Sequence, residues 1–229
     1  MKPNFQNFIQ VAGVIDIEEA NLLLDSEINY LGFPLRLPVN KEDLSEEVAS
    51  KVIKNLMPPN YGIVISYSNT AKEIIELCDK VGSKIIQLHG SINIDEVKNL
   101  KASRSDISII KSLVVREDNF DKLTSLIKEL EPFVDAFITD TYDPTTRASG
   151  ATGKTHDWKI SKKIVELSSK PVILAGGLNP TNVYEAILKV NPAGVDVHTG
   201  VENKLGRKDK LLVKQFVNET KKAFKKLKM

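Results

Sequence analysis

A chain of 229 residues, 41% hydrophobic and 27% charged, is long enough to bury its own core, and α/β barrels of about 250 residues fold as single domains. Its 32 basic and 30 acidic residues leave a net charge of +2 spread along the chain, which excludes the concentrated basic face of a nucleic-acid binder. The one cysteine, Cys78, excludes an internal disulfide, and with no signal-peptide pattern or long apolar run a cytoplasmic protein without membrane partners is expected.

Short apolar runs alternate with amphipathic segments from one end to the other. The first run, residues 8–12, is followed by a helical pattern over 17–24; the second, 30–35, by one over 45–56. The third and fourth runs, 62–67 and 84–88, precede helical patterns over 70–81 and 94–100. In the third helix Ile74, Leu77, Cys78 and Val81 fall at i, i+3, i+4 and i+7, which marks one apolar face and makes Cys78 a packing residue. The second half repeats the unit with runs 107–113, 135–139, 171–175 and 194–197. Their helical patterns cover 120–130, 158–167, 180–190 and 208–227. Asn179-Pro180 is read as a cap with proline at the first helical position of the seventh. The basic run from Lys221 to Lys228 is read as a solvated helix end.

Runs rich in Ile and Val without strict alternation suit strands buried on both faces. Eight strand–helix units with right-handed crossovers and no second domain predict one (β/α)₈ barrel over residues 1–229, in preference to an open doubly wound sheet.

The chemistry of such a barrel lies at the C-terminal ends of its strands. Those ends carry Ala12-Gly13, Phe33–Arg36, Ser66–Ser68, Gln87-Leu88-His89-Gly90, Lys111-Ser112, Asp140–Tyr142, Gly176-Gly177 and His198-Thr199-Gly200. Gly176, Gly177, Thr199 and Gly200 follow strands 7 and 8, the usual phosphate site of the fold, and Gly153 in the loop after strand 6 adds another amide. Asp140 closes strand 6, where partial burial would raise its pKa enough for a general acid. His89 and His198 reach the same face, while His156 at the entry to helix 6 reads as a cap or packing group. Lys111 reads either as a partner of a substrate anion or as a core lysine with its own carboxylate, and Asp196, inside strand 8, as a supporting group. Three scattered histidines suggest no metal site.

These motifs together resemble one family. Ile9-Gln10-Val11-Ala12-Gly13-Val14, Ile86-Gln87-Leu88-His89-Gly90, and Asp140 followed by Gly150-Ala151-Thr152-Gly153-Lys154-Thr155-His156-Asp157-Trp158 are similar to segments of phosphoribosylanthranilate isomerase, a tryptophan-pathway enzyme. Residues 174–183 and 194–202, running on to Gly206-Arg207-Lys208-Asp209, complete the likeness in the same order. The resemblance implies an Amadori rearrangement of an aminoaldose to an aminoketose, needing no cofactor or metal, on a small phosphorylated sugar, in a monomer or homodimer. It assigns Asp140 as the general acid. The family's general base is a strand-1 cysteine, and this chain has Ala12 there. His198 or His89 is then the candidate substitute base, with Asp16 a further one, and Arg36 or Lys41 the candidate for the anthranilate carboxylate. Two alternatives stay open: a related isomerase, epimerase or lyase acting on another phosphorylated sugar, and a non-catalytic phosphosugar-binding protein.

Overall fold

Buried on both faces, the Ile- and Val-rich runs can satisfy their backbone only by pairing with one another, and they close into a ring. A computed structural model describes residues 3–37, 44–116, 118–141 and 155–228. Its strands are β1 (Phe8–Ala12), β2 (Tyr30–Leu35), β3 (Tyr61–Ser66), β4 (Ile85–Leu88), β5 (Ser108–Val115), β6 (Ala136–Thr141), β7 (Val172–Leu174) and β8 (Gly194–Val197). Each pairs in parallel with the next, and β8 returns to pair with β1. The helices α1 (Ile17–Leu24), α2 (Glu46–Asn55), α3 (Ala71–Val81), α4 (Ile94–Ser103), α5 (Phe120–Leu130), α6 (Trp158–Leu167), α7 (Val183–Val190) and α8 (Lys210–Leu227) alternate with the strands. The expected (β/α)₈ barrel is the architecture observed.

The helices start where the sequence supplies caps. Asp16, Ser45, Thr70, Asn93, Asp157 and Asp209 each accept an amide hydrogen from the first turn that follows. Asp16 is thereby occupied: Oδ1 accepts from Glu19 N at 2.8 Å and Oδ2 pairs with Arg207 Nη1 at 2.7 Å. The expected apolar face of α3 is fully buried, and burial pushes the Cys78 thiol up to about 12. At the basic end of α8, Lys221 pairs with Glu27 and Lys222 lies over the Tyr184 ring.

Several boundaries differ from expectation, most by one residue, while α4 runs on to Ser103 and α8 starts at Lys210. Strands β5 and β6 run two residues further than read, because Val114 pairs with Asp140 and Val115 with Thr141. Helix α7 begins at Val183, not at Pro180. There, Asn179 and Asn182 bond the backbone of a preceding turn, with Asn179 Oδ1 accepting from Thr181 N and Asn182 Oδ1 from Asn179 N.

Inside the ring, Phe8, Tyr30, Ile63, Ile85, Ile110, Ile138 and Ile173 pack together. Phe8 and Tyr30 lie 4.1 Å apart by ring centroid and plug the N-terminal end. One step along β1, buried Gln10 donates to Gln87 at 2.9 Å, so the interior turns polar toward the C-terminal end. That gradient places the reactive groups at one mouth of the barrel.

Candidate active site

Asp140 sits at the polar mouth. Its Oδ1 accepts from Thr141 N at 2.7 Å and its Oδ2 lies 3.4 Å from His89 Nε2. Burial raises the carboxyl pKa, against the opposing influence of His89 and the Thr141 amide. The His89 ring, just beyond β4, rests 4.6 Å from that of Tyr67, just beyond β3. Burial, helped by the Asp140 charge, pushes the Tyr67 hydroxyl up to about 12. The exits of β3, β4 and β6 thus converge on one acid–imidazole pair.

Lys111, in β5, does not have the carboxylate partner that one of its two expected roles required. Its ammonium donates to three main-chain carbonyls, Leu88 O at 3.1 Å, Gly90 O at 3.0 Å and Ser112 O at 3.1 Å. It therefore pins the loop that carries His89, and no carboxylate among the described residues pairs with it. Burial lowers its pKa to about 8. Gly90 fits the same clamp, since a Cβ there would come 2.9 Å from Tyr67 O. Asp196 lies opposite Gln10 across the β1–β8 pair, and burial, reinforced by the Asp140 charge, pushes it up to about 8.

The glycines after β7 and β8 form a cup. Gly176 and Gly177 take φ of +97° and +63°, the left-handed region that favours glycine. Their amide hydrogens meet no protein acceptor among the described residues. A Cβ on Gly176 would overlap Thr141 Oγ1, and one on Gly200 would overlap Leu178 O, so the two loops are in direct contact. Thr199 and Gly200 open a 3₁₀ turn, Thr199–Val201, whose first amides have no acceptor within it. Positive-φ glycines with free amides beside a helical turn suit an anion. Gly153 and Lys41 lie outside the described residues. His156, as read, is a packing group: it bonds Thr141 Oγ1 at 2.9 Å and the Ser161 hydroxyl, and burial pushes it down to about 4.

Across the mouth, Ala12 ends β1 with a buried methyl group. Gly13 follows at φ +76°, and its missing Cβ leaves room for the His198 imidazole. His198 Nε2 lies 3.5 Å from Glu202 Oε1, which in turn accepts from Lys208 Nζ at 2.6 Å. Arg36, at the exit of β2, turns to the first turns of α2 and α3: Nε donates to Glu46 at 2.8 Å and Nη1 to Glu73 O at 3.3 Å. Meeting a substrate anion would require it to exchange the Glu46 pair.

The structure brings Asp140, His89, Lys111, the glycine cup, Ala12 and His198 to one mouth. Tyr67 lies within the strand-3 end expected to line the site, though no role was assigned to it; Gln10, Glu202 and Lys208 were given none either. Of these last three only Glu202, four residues beyond His198, carried a signal that spacing could have caught. Among the described residues no group of three or more His, Cys, Asp or Glu side chains converges as metal ligands would, and no helix is long and apolar enough to cross a membrane.

Comparison with known proteins gives one consistent match. A model of the family described as N-(5'phosphoribosyl)anthranilate (PRA) isomerase covers residues 9–219. N-(5'-phosphoribosyl)anthranilate isomerase 2 of Methanosarcina mazei is 36% identical over 217 residues, covering 94% of this chain and 95% of that protein. Phosphoribosyl anthranilate isomerase from Thermotoga maritima superposes with a TM-score of 0.79 at 28% identity, over 94% of this chain and 98% of its own. A structure of such an isomerase in complex with reduced 1-(o-carboxyphenylamino)-1-deoxyribulose 5-phosphate superposes with a TM-score of 0.77 at 26% identity and the same coverage, 94% and 98%.

Proposed function

Because this chain belongs to the N-(5'-phosphoribosyl)anthranilate isomerase family, we propose that it catalyses the Amadori isomerisation of phosphoribosylanthranilate, with Asp140 as the proton donor. The observation that carries the assignment is the buried Asp140 carboxyl at the end of β6, held by the Thr141 amide beside His89.

The 5-phosphate of the sugar sits in the cup of Gly176, Gly177, Thr199 and Gly200, where free amides and left-handed glycines fit an anion. That anchoring sets the ribose across the mouth toward Asp140. The raised pKa keeps a proton on Asp140 closer to neutrality than an exposed aspartate could. Asp140 gives this proton to the ring oxygen as the bond from that oxygen to C1 breaks. The anilino nitrogen supplies the electron pair that makes the C1=N double bond. His89 Nε2, 3.4 Å from Oδ2, holds the carboxyl in place and stabilises the carboxylate left behind. Lys111 fixes the loop that presents His89. The lone cysteine, buried Cys78, suits the reducing cytoplasm as the place of action.

The test is the loss of fluorescence as freshly generated phosphoribosylanthranilate is consumed. Wild type turns over, and Asp140→Asn loses on the order of 10²–10⁴ in kcat, the range for removing a general acid. An Asp140→Asn variant with wild-type kcat would remove Asp140 from the chemistry. A folded wild type that binds ribose 5-phosphate but leaves phosphoribosylanthranilate untouched would move the function to another phosphorylated sugar.

A further inference from the structure

Asp140 accounts for ring opening only. The next step removes the proton from C2 of the opened sugar, and the methyl group of Ala12 accepts no proton.

The side chain beside Ala12 is His198. Strands β1 and β8 pair through Gln10 with Asp196 and Val11 with Val197, which puts His198 next to Ala12 across the seam. A Cβ on Gly13 would overlap His198 Nε2, so the imidazole lies directly on the backbone of the residue after Ala12. The ring is also held from a second side. Its Nε2 is 3.5 Å from Glu202 Oε1, and the fully buried Lys208 side chain binds that oxygen at 2.6 Å and the His198 carbonyl at 3.3 Å. With Nε2 facing a carboxylate, the proton of the neutral ring belongs on Nε2 and the lone pair on Nδ1. Nδ1 has no protein partner among the described residues, and the side chain keeps 26% of its surface exposed. His89 is placed differently, since its Nε2 faces the acid.

We propose that His198 is the proton acceptor that replaces the missing strand-1 base, with Glu202 and Lys208 positioning its ring. This rests on the isomerase reading above. Nδ1 takes the proton from C2 of the protonated imine; the C2–H electron pair becomes the C1=C2 bond, and the C=N π pair returns to nitrogen, giving an enolamine. The imidazolium then delivers its proton to C1 while the enol O–H proton passes to the Asp140 carboxylate. The ketone is released and both residues regain their starting protonation. Burial and the nearby Lys208 charge push the His198 ring down to about 3, so the neutral acceptor is the form present at working pH. A weak base suffices because the adjacent iminium acidifies the C2 proton.

The experiment compares wild type, His198→Ala, His198→Asn, Ala12→Cys and the double variant Ala12→Cys/His198→Ala on phosphoribosylanthranilate, with and without deuterium at C2. Both single His198 variants should lose on the order of 10²–10⁴ in kcat, with KM changing less than about threefold. Their primary isotope effect should exceed that of wild type. The double variant should regain at least about tenfold over His198→Ala, because its thiol restores an acceptor at the strand-1 position. A His198→Asn enzyme within about threefold of wild type overturns the assignment. So does a loss that the double variant fails to rescue, which makes His198 structural. Inactive wild type would instead sink the isomerase reading on which the proposal rests.

Discussion

Replacing Asp196 by asparagine should stabilise this protein, and by more as the pH rises. Asp196 lies in β8 against Gln10, with a buried Oδ1 that has no partner among the described residues. Burial and the neighbouring Asp140 charge push its pKa from an ordinary 3.8 to about 8. In the unfolded chain the group ionises near 3.8, so between 3.8 and 8 the folded protein carries the extra proton. A raised folded pKa favours folding fully at low pH, and that benefit is lost as the pH rises through the folded value. The difference, 8 less 3.8 or about 4 units, corresponds at 1.36 kcal/mol per unit to about 5–6 kcal/mol above pH 8. Asparagine keeps the shape and the neutrality without the titration. From pH 5 to pH 8 its advantage over wild type should widen by about 3 units, or about 4 kcal/mol. For a chain of this size that is a Tm gap growing by roughly 8–16 °C. The assay is thermal unfolding of both proteins at pH 5, 6, 7 and 8. A variant-minus-wild-type difference that stays flat within about 2 °C would refute a buried, neutral Asp196.

Two further outcomes follow from the clamp and the cup. Lys111 titrates near 8 folded against 10.5 unfolded, so the unfolded chain holds more protons between those values and wild type should gain up to about 3 kcal/mol as the pH rises through them. Urea midpoints of wild type and Lys111→Met at pH 7.5 and pH 10 measure that gain, and parallel behaviour of the two proteins would show that Lys111 is not a buried ammonium. Gly176→Ala places a methyl group against Thr141 Oγ1 at a φ of +97°; KM for phosphoribosylanthranilate and the inhibition constant for inorganic phosphate should both rise at least about tenfold. If neither moves, the phosphate sits elsewhere.

The fold was legible because its signal is local. The predicted and observed bounds of β1, β2, β8, α1, α5 and α6 coincide, since each is an apolar pattern ended by turn or cap residues. Strand β6 was cut short because Asp140 and Thr141 are polar, and only their pairing with Val114 and Val115 shows that the ladder continues. The site was legible as a set of strand ends, which the barrel topology must gather. Its internal geometry was not, because it depends on contacts between distant segments. His89 meets Asp140 across 51 residues (140 less 89), and the ammonium of Lys111 found carbonyls where a carboxylate was one of two partners expected. The relation of His198 to Gly13 depends on a side chain that glycine lacks, at the seam where the last strand meets the first.

A closed ring is a hoop, and a hoop has a weakest joint. Strand β7 has three residues and pairs with each neighbour at two positions, whereas β2 with β3 and β5 with β6 each pair at six. The joint falls beside the glycine loops, whose backbones touch where Gly200 meets Leu178. An anion gripped by both loops would therefore act as a clasp across the thinnest part of the hoop. Amide hydrogens of β7 should be the first strand amides to exchange in the empty protein and the ones most slowed by ligand. In that sense one phosphate would serve both the substrate that brings it and the wall that receives it.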